Sequence, residues 1–227
     1  MVATVTLEGR ERVAHRASER AHEPYGVTVQ LLLVRHALPL RSEPGQGSDP
    51  DLSAEGIEQA ARLPAALKRF PITRLVSSPQ RRAIQTAQPV AEATGLPIEI
   101  DERLAEYDRD MAHYTPIEEA SKEDVERLLG GHLPAEVDEP AFLARVKAGI
   151  DDIVTTADHE DTVAVFSHGG VINALVHQVM RTERLLCVQV DYVGITRLLS
   201  SRRTGLAVAG VNSVGHVWDL LPRNVQW

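Results

Sequence analysis

The chain of 227 residues has a single cysteine, Cys187, and no residue spacing typical of a metal site. One cysteine excludes a disulfide within the chain and a cysteine-rich zinc cluster, and no His-Glu-x-x-His pattern occurs. Scarce cysteine fits a reducing compartment, so we expect a cytoplasmic protein. The missing metal-site pattern predicts a mechanism that uses neither a metal ion nor another cofactor.

Excess basic charge and long apolar runs are also missing. The 32 acidic residues outnumber the 24 lysines and arginines, and the net charge of -8 argues against a nucleic-acid partner. No apolar run is long enough to span a bilayer, and Glu8, Arg10, Glu11 and Arg12 interrupt the apolar core that a secretory signal would need. We therefore expect a soluble globular protein without a membrane partner, and the composition leaves its oligomeric state open.

Two histidines stand at the ends of predicted strands. His36 follows Arg35 directly after the apolar run 29–34, and His168 follows the apolar segment 163–167. Short apolar runs of this kind are typical of buried parallel strands, whose carboxyl ends meet at one edge of a sheet. We therefore expect Arg35, His36 and His168 to lie close together at that edge.

A second arginine is predicted to reach the same edge from a helix. Arg82 lies in the first turn of the helix predicted to follow a strand over 72–77. A helix N-terminus favours an anion, and the planar guanidinium donates paired hydrogen bonds to phosphate oxygens. Two arginines and two histidines at one edge predict a site for the phosphoryl group of a small phosphorylated molecule.

The alternation of strands and helices predicts an α/β fold, a three-layer α/β/α sandwich with a mostly parallel mixed sheet. Strands are predicted over 28–34, 72–77, 97–100, 162–167, 186–190, 194–200, 206–211 and 214–218, and helices over 54–70, 79–93, 115–129, 140–157 and 170–180. Ser53 and Ser78 are expected to cap two helices, and Pro64 to interrupt the first. Residues 1–26 are interpreted as an N-terminal extension and 27–227 as the catalytic domain, with a cap or specificity insertion over 101–140.

The motifs, taken in order, resemble those of the histidine phosphatase superfamily, the phosphoglycerate-mutase-like proteins. The resemblance rests on Leu-Val-Arg-His-Ala at 33–37, Asp-Leu-Ser-Ala-Glu-Gly at 51–56, Gln-Ala at 59–60, the segment 77–87 and Ser-His-Gly-Gly at 167–170. A weaker match is Leu-Ala-Glu at 104–106, and the whole set lies within residues 29–218. The resemblance implies a phosphoglycerate-mutase-like fold and phosphatase activity on a small phosphomonoester.

The resemblance also implies a role for each residue of the predicted site. His36 is the expected nucleophile, which would carry a phosphohistidine intermediate, and adjacent arginines disfavour its charged form. Arg35, Arg82 and His168 are expected to bind the phosphoryl group, and His168 also to stabilise charge in the transition state. Glu106 is the expected proton donor to the leaving alkoxide.

The chain departs from the family pattern at two places. The family usually carries a glycine four residues after the acid, where this chain has Asp110, and Asp108 is the next candidate for the proton donor. Ala37 stands where the family most often has glycine, which is tolerable if the backbone there keeps a negative φ. His113, in the same irregular segment as Asp110, is a further histidine that we place within reach of the site.

Two other functions are compatible with the same motifs. A phosphoglycerate mutase would return the phosphoryl group to the substrate instead of giving it to water, and a non-catalytic protein would only bind a phosphorylated ligand. The loop residues that mutases place around the phosphoglycerate carboxylate are not found in 38–51 or 107–115, and all four phosphoryl-site residues are present. A phosphatase is therefore the favoured function, and the identity of its substrate is left open.

Overall fold

The computed structural model describes residues 27–40, 49–109, 121–201 and 204–221. Within these ranges the strands are β1 (Val27–Arg35), β2 (Ile72–Ser77), β3 (Ile98–Ile100), β4 (Asp161–Ser167), β5 (Ile195–Ser201) and β6 (Gly205–Ser213). The helices are α1 (Ala54–Ala61), α2 (Leu63–Leu67), α3 (Arg81–Thr94), α4 (Lys122–Leu129), α5 (Glu139–Thr156) and α6 (Gly169–Met180), and 3₁₀ turns cover Glu102–Leu104 and Trp218–Leu220.

The strands form one mixed sheet in the order β3-β2-β4-β1-β5-β6. The first four strands are parallel, whereas β5 and β6 are antiparallel to their neighbours, which confirms the predicted mixed sheet. Arg35 pairs with Ser167 at the ends of β1 and β4, and Ser77 at the end of β2 pairs with Phe166. The carboxyl ends of β1, β2 and β4 therefore meet at one edge of the sheet.

Alternate residues of β1 face two separate hydrophobic cores. Leu31 and Leu33 pack on the face covered by α5 and α6, whereas Leu32 and Val34 pack on the face covered by α1, α2 and α3. Because both faces are covered by helices, a central strand is apolar along its whole length. The three-layer α/β/α sandwich is thus confirmed.

Local sequence signals account for most helix boundaries. The Ser53 hydroxyl accepts a hydrogen bond from the Gly56 N–H and caps α1, as predicted. The predicted interruption near Pro64 is also present, since α1 ends at Ala61 and α2 begins at Leu63 with the proline in its first turn. Gly95 ends α3 in the left-handed conformation, with a φ of 72°.

The predicted capping of α3 by Ser78 is wrong. The helix begins at Arg81, and Gln80 occupies the N-cap position. The Ser78 hydroxyl lies 2.7 Å from Nε2 of His168, a tertiary contact that a local capping rule does not consider. The proline at position 79 therefore precedes the helix instead of starting it.

Two of the strands predicted near the end of the chain are also wrong. Residues 186–190 are irregular because the side-chain oxygen of Asn173 accepts hydrogen bonds from the N–H groups of Cys187 and Val188, in place of a neighbouring strand. Residues 214–218 form a turn, closed by a bond from the Val217 N–H to the Val214 carbonyl, that leads into a 3₁₀ turn.

Several predictions fall on residues outside the described ranges. These are the N-terminal extension over 1–26, the start of the helix predicted from residue 115, Asp110 and His113. Within the described ranges the helix α4 begins at Lys122 and is capped by Ser121, a residue that was predicted to be helical; it ends before Gly130, as predicted. The division into an extension, a catalytic domain and an insertion stays a prediction. No helix within the described ranges combines the length and apolar character needed to cross a membrane.

Replacing Gly56 with alanine should destabilise the fold. Alanine normally favours a helix over glycine by about 1 kcal/mol. Here an added Cβ would lie 2.0 Å from the Leu38 carbonyl oxygen, and that backbone is fixed by bonds to Ser53 and Gln59. We expect Gly56→Ala to lower the free energy of unfolding in urea by about 1–3 kcal/mol, the range for overpacking. Gly210→Ala, at a position with open space, is the control; a stabilised Gly56→Ala would contradict the prediction.

Candidate active site

The sheet edge formed by β1, β2 and β4 brings the two predicted histidines together. The His36 N–H donates to the Ser167 carbonyl at 2.8 Å, which fixes the end of β1 beside the end of β4. The ring centroids of His36 and His168 lie 5.2 Å apart, and both side chains are buried. The spacing of the strands thus places the two imidazole rings close enough for both to contact one small anion.

The hydrogen bonding of His36 defines its tautomer. Its Nδ1 lies 2.8 Å from the Ala37 carbonyl oxygen, which only accepts, so the proton of the neutral ring is on Nδ1. Burial, followed by the positive charges of Arg82 and Arg35, holds the pKa of His36 well below its usual value. Near pH 7 the ring is therefore neutral, and Nε2 carries the lone pair that can attack phosphorus.

His168 is also neutral, for a related reason. Burial lowers its pKa well below the usual value, and the positive charges of Arg82, Arg35 and Arg145 lower it further. Its Nε2 lies 2.7 Å from the Ser78 hydroxyl oxygen, which accepts a hydrogen bond from the Gln80 N–H at 3.3 Å. Nδ1 of His168 is buried and makes no hydrogen bond within the described parts of the chain.

Arg82 is only 1% exposed and is held from several directions. Its Nη2 donates to both carboxylate oxygens of Asp108 at 3.0 Å, and Nη1 lies 3.6 Å from Asp49. The Thr86 hydroxyl donates to the Arg82 carbonyl and accepts from the Ala37 N–H, which ties α3 to the end of β1. A buried guanidinium needs such a paired carboxylate to offset its lost hydration.

Glu106 lies against the start of α6. Its carboxylate accepts hydrogen bonds from the Gly170 N–H at 2.8 Å and from the Tyr107 N–H at 3.1 Å. A Cβ at position 170 would lie 2.3 Å from Oε1 of Glu106, so a larger residue there would have to displace that carboxylate. The Gly170 backbone therefore fixes the Glu106 carboxylate at the start of α6.

The environment of Glu106 favours its protonated form. Burial is the main cause and the nearby charge of Asp108 the second, and together they raise the pKa of Glu106 to about 7. The two N–H donors and Arg82 oppose this shift but do not cancel it. A carboxyl group that titrates near neutrality suits both proton donation and proton acceptance.

Asp108, the second candidate for the proton donor, occupies a different place. Both of its oxygens face Arg82, and one also accepts from Nε2 of Gln80 at 3.1 Å. The carboxylate is therefore engaged as an acceptor of charge-assisted hydrogen bonds. Its position supports Arg82 and adds negative charge beside Glu106.

Gln80, Ser78 and Thr86 are site residues whose contacts the sequence did not predict. The Gln80 side chain donates to Asp108 and accepts from the Glu106 N–H at 2.7 Å, so one amide aligns both acidic residues. All three lie within the matched segment 77–87. Their burial is visible only in the structure, so nothing in the sequence separated them from exposed polar residues. Among the described residues no group of three His, Cys, Asp or Glu side chains is placed to hold a metal ion.

Comparison with known proteins gives a consistent result. The family model of the histidine phosphatase superfamily (branch 1) matches residues 31–212. Phosphoserine phosphatase 1 of Hydrogenobacter thermophilus is 35% identical over 150 residues, which cover 62% of this chain and 71% of the relative. The probable phosphoglycerate mutase GpmB of Proteus mirabilis is 26% identical and covers 87% of this chain and 99% of the relative.

Solved structures share the fold. The phosphoserine phosphatase of Entamoeba histolytica, in complex with 3-phosphoglyceric acid, has a TM-score of 0.67 and 22% identity, with coverage of 83% of this chain and 99% of that one. A mycobacterial glucosyl-3-phosphoglycerate phosphatase has a TM-score of 0.69 and 21% identity, with coverage of 81% and 98%.

The raised pKa of Glu106 should make folding stability depend on pH. The unfolded chain ionises this group near its ordinary value of 4.5, whereas the folded chain retains the proton until about 7, so stability is lost as pH rises between the two. Glu106→Gln removes this loss. We expect the variant to gain stability relative to the wild type, by up to about 3 kcal/mol, between pH 4.5 and 8 in urea unfolding. The exposed Glu92→Gln is the control, and a constant difference across this pH range would refute the prediction.

Proposed function

Because this chain belongs to the histidine phosphatase superfamily, we propose that it hydrolyses a small phosphomonoester through a phosphohistidine formed at His36, without a metal ion. The observation that carries the proposal is the neutral His36, with Nε2 unprotonated, beside the buried guanidinium of Arg82. The single cysteine supports a cytoplasmic, reducing setting for this reaction.

The first step transfers the phosphoryl group to the enzyme. Arg35 and Arg82 bind the phosphoryl oxygens, and Nε2 of His36 attacks phosphorus while the bond from phosphorus to the ester oxygen breaks. The leaving alkoxide takes a proton from Glu106, which becomes a carboxylate. The Gly170 and Tyr107 N–H groups then hold the charged form that the reaction has generated.

The second step returns the enzyme to its starting state. A water molecule attacks the phosphohistidine, the bond between phosphorus and Nε2 breaks, and inorganic phosphate is released. Glu106 accepts the proton of that water and is again a carboxylic acid, so the proton balance closes over the two steps. A pKa of about 7 allows the same group to serve in both directions near neutrality.

His168 supplies a hydrogen bond to the transferring group. The Ser78 hydroxyl accepts from the Gln80 N–H and still has its own hydrogen to donate; we assign that hydrogen to Nε2 of His168, which leaves the ring proton on Nδ1. That Nδ1–H is the donor we assign to a phosphoryl oxygen in the transition state. A neutral donor here avoids adding a third full positive charge beside two arginines.

Phosphoglycerate mutase activity is the closest alternative, since relatives of both names match this chain. A mutase passes the phosphoryl group from histidine to a second hydroxyl of the substrate, whereas a phosphatase passes it to water. Incubation with 3-phosphoglycerate and with phosphoserine, followed by ³¹P NMR, separates the two by whether inorganic phosphate or an isomer accumulates. We expect inorganic phosphate. A protein that only binds phosphorylated ligands would form neither product.

His36→Ala should abolish turnover and leave the fold intact, because no other described group takes the position of the attacking nitrogen. In the wild type, a brief incubation with ³²P-labelled substrate should leave label on the protein that is labile to acid and stable to base, as expected for phosphohistidine. The variant should carry no label. His159→Ala, at an exposed histidine, is the matched control and should behave as the wild type. Label retained by His36→Ala would exclude the assignment of the nucleophile.

Replacing Glu106 should slow the hydrolysis of esters with poor leaving groups more than that of esters with good ones. An alkyl phosphate needs a proton on its leaving oxygen, whereas p-nitrophenyl phosphate releases a stabilised phenolate. We expect Glu106→Gln to reduce kcat for an alkyl ester about 10²-fold more than for the aryl ester. In the wild type, kcat for the alkyl ester should decline above pH 7 as Glu106 ionises.

Gly170→Ala gives an independent test of the same group, since the added methyl would displace the Glu106 carboxylate without removing it. This variant should show the same selective loss as Glu106→Gln. Equal losses on alkyl and aryl esters in both variants would mean that the proton donor is another residue.

A further inference from the structure

The guanidinium of Arg35 is fixed in position by contacts on several sides. Its guanidinium carbon lies 4.1 Å from the ring centroid of Tyr192, and Nη1 donates to the Val190 carbonyl at 2.5 Å. On the side of Gly169, an added Cβ would stand 3.7 Å from Nε, so the backbone there is in near contact with the guanidinium. Nε itself is buried and makes no hydrogen bond within the described residues.

A single segment, residues 188–194, which we call the rim loop, provides most of these contacts. Besides Val190 and Tyr192, it supplies the Gly194 carbonyl, which accepts from the Arg35 N–H at 3.2 Å. The Val193 N–H donates to the Arg35 carbonyl at 3.1 Å. The rim loop therefore fixes both the main chain and the side chain of Arg35.

The rim loop is itself fixed at its first residue and at its middle by asparagines. Asn173 of α6 accepts from the Val188 N–H at 2.9 Å and donates to its carbonyl at 3.0 Å. Asn212 of β6 accepts from the Asp191 N–H and donates to the Asp191 carboxylate. Two residues after Asp191, Val193 is buried with a φ of 52°, a left-handed conformation that a β-branched residue adopts only when its surroundings impose it.

We propose that Tyr192 is a positioning residue that sets the plane of the Arg35 guanidinium and so directs its donors to the phosphoryl group. The inference rests on the proposed function, because it assigns Arg35 to the phosphoryl oxygens. A guanidinium stacked on an aromatic ring loses its freedom to rotate and is attracted to the ring face. Its in-plane donors then keep one direction, which paired hydrogen bonds to an anion require.

Tyr192 also lies beside His36, with 5.7 Å between the ring centroids, so it could act as a wall for the leaving group instead. The two roles differ in what they affect. A residue that acts through Arg35 changes the binding of inorganic phosphate and affects alkyl and aryl esters equally. A wall for the leaving group leaves phosphate binding unchanged and alters the preference among esters.

The test measures the dissociation constant of inorganic phosphate by calorimetry in Tyr192→Phe, Tyr192→Leu, Arg35→Ala and the double variant Arg35→Ala with Tyr192→Leu. We expect Tyr192→Leu to weaken phosphate binding about tenfold, which corresponds to about 1.4 kcal/mol. Tyr192→Phe keeps the ring and should restore affinity to within about twofold of the wild type. In the Arg35→Ala background, Tyr192→Leu should cause no further loss. The value of kcat/KM should fall by the same factor for alkyl and aryl phosphates.

Each other outcome overturns the inference in a recognisable way. An unchanged dissociation constant in Tyr192→Leu excludes a role through Arg35, and an equal loss with and without Arg35 shows that Tyr192 acts elsewhere. Thermal unfolding checks that the variants are folded, and Tyr192→Met replaces the leucine variant if that one is not. A wild type that neither binds phosphate nor hydrolyses any ester contradicts the proposed function first and the inference with it.

Discussion

The active site depends on positive charge that is buried at the carboxyl edge of the sheet. Arg82 is almost completely shielded from water, and its charge lowers the pKa of both His36 and His168. A neutral imidazole is the form that can attack phosphorus, so in the proposed mechanism the guanidinium that binds the phosphoryl group also keeps the nucleophile neutral. Asp108 offsets the cost of burying that charge.

The same arrangement explains why the acid of the site titrates near neutrality. Asp108 is needed by Arg82, yet its negative charge lies close to Glu106 and raises the pKa of that carboxyl, in addition to the effect of burial. The Gln80 side-chain amide bonds to both acidic residues, to the Asp108 carboxylate and to the Glu106 N–H, and so fixes their relative position. Arg145 adds to this by donating to the carbonyls of Arg103 and Ala105, just before Glu106. In the proposed mechanism, the carboxylate that stabilises buried Arg82 therefore also adjusts the pKa of the proton donor.

The sequence predicted the parts of the site that regular elements deliver. Arg35, His36 and His168 follow strongly apolar strands, and parallel pairing alone is enough to bring strand ends to one edge. The predictions that were wrong concern residues with long-range contacts. Ser78 contacts His168 instead of capping α3, and hydrogen bonds to Asn173 take the place of a predicted strand. The contribution of Tyr192 had no local signal either, because it comes from a stack on a residue 157 positions earlier in the chain.

The division between regular and irregular elements has a consequence for specificity. His36, Arg82 and His168 sit at the ends of β1 and β4 or in the first turn of α3, where backbone hydrogen bonding leaves little freedom. Glu106 and Tyr192, which the proposals assign to proton donation and to the positioning of Arg35, belong to segments without regular structure. These segments are held by individual side chains such as Gln80 and Asn212. Segments of this kind change more readily than a central strand. Under the proposed mechanism, a fold built in this way retains one phosphoryl-transfer site while the segments on its leaving-group side diverge.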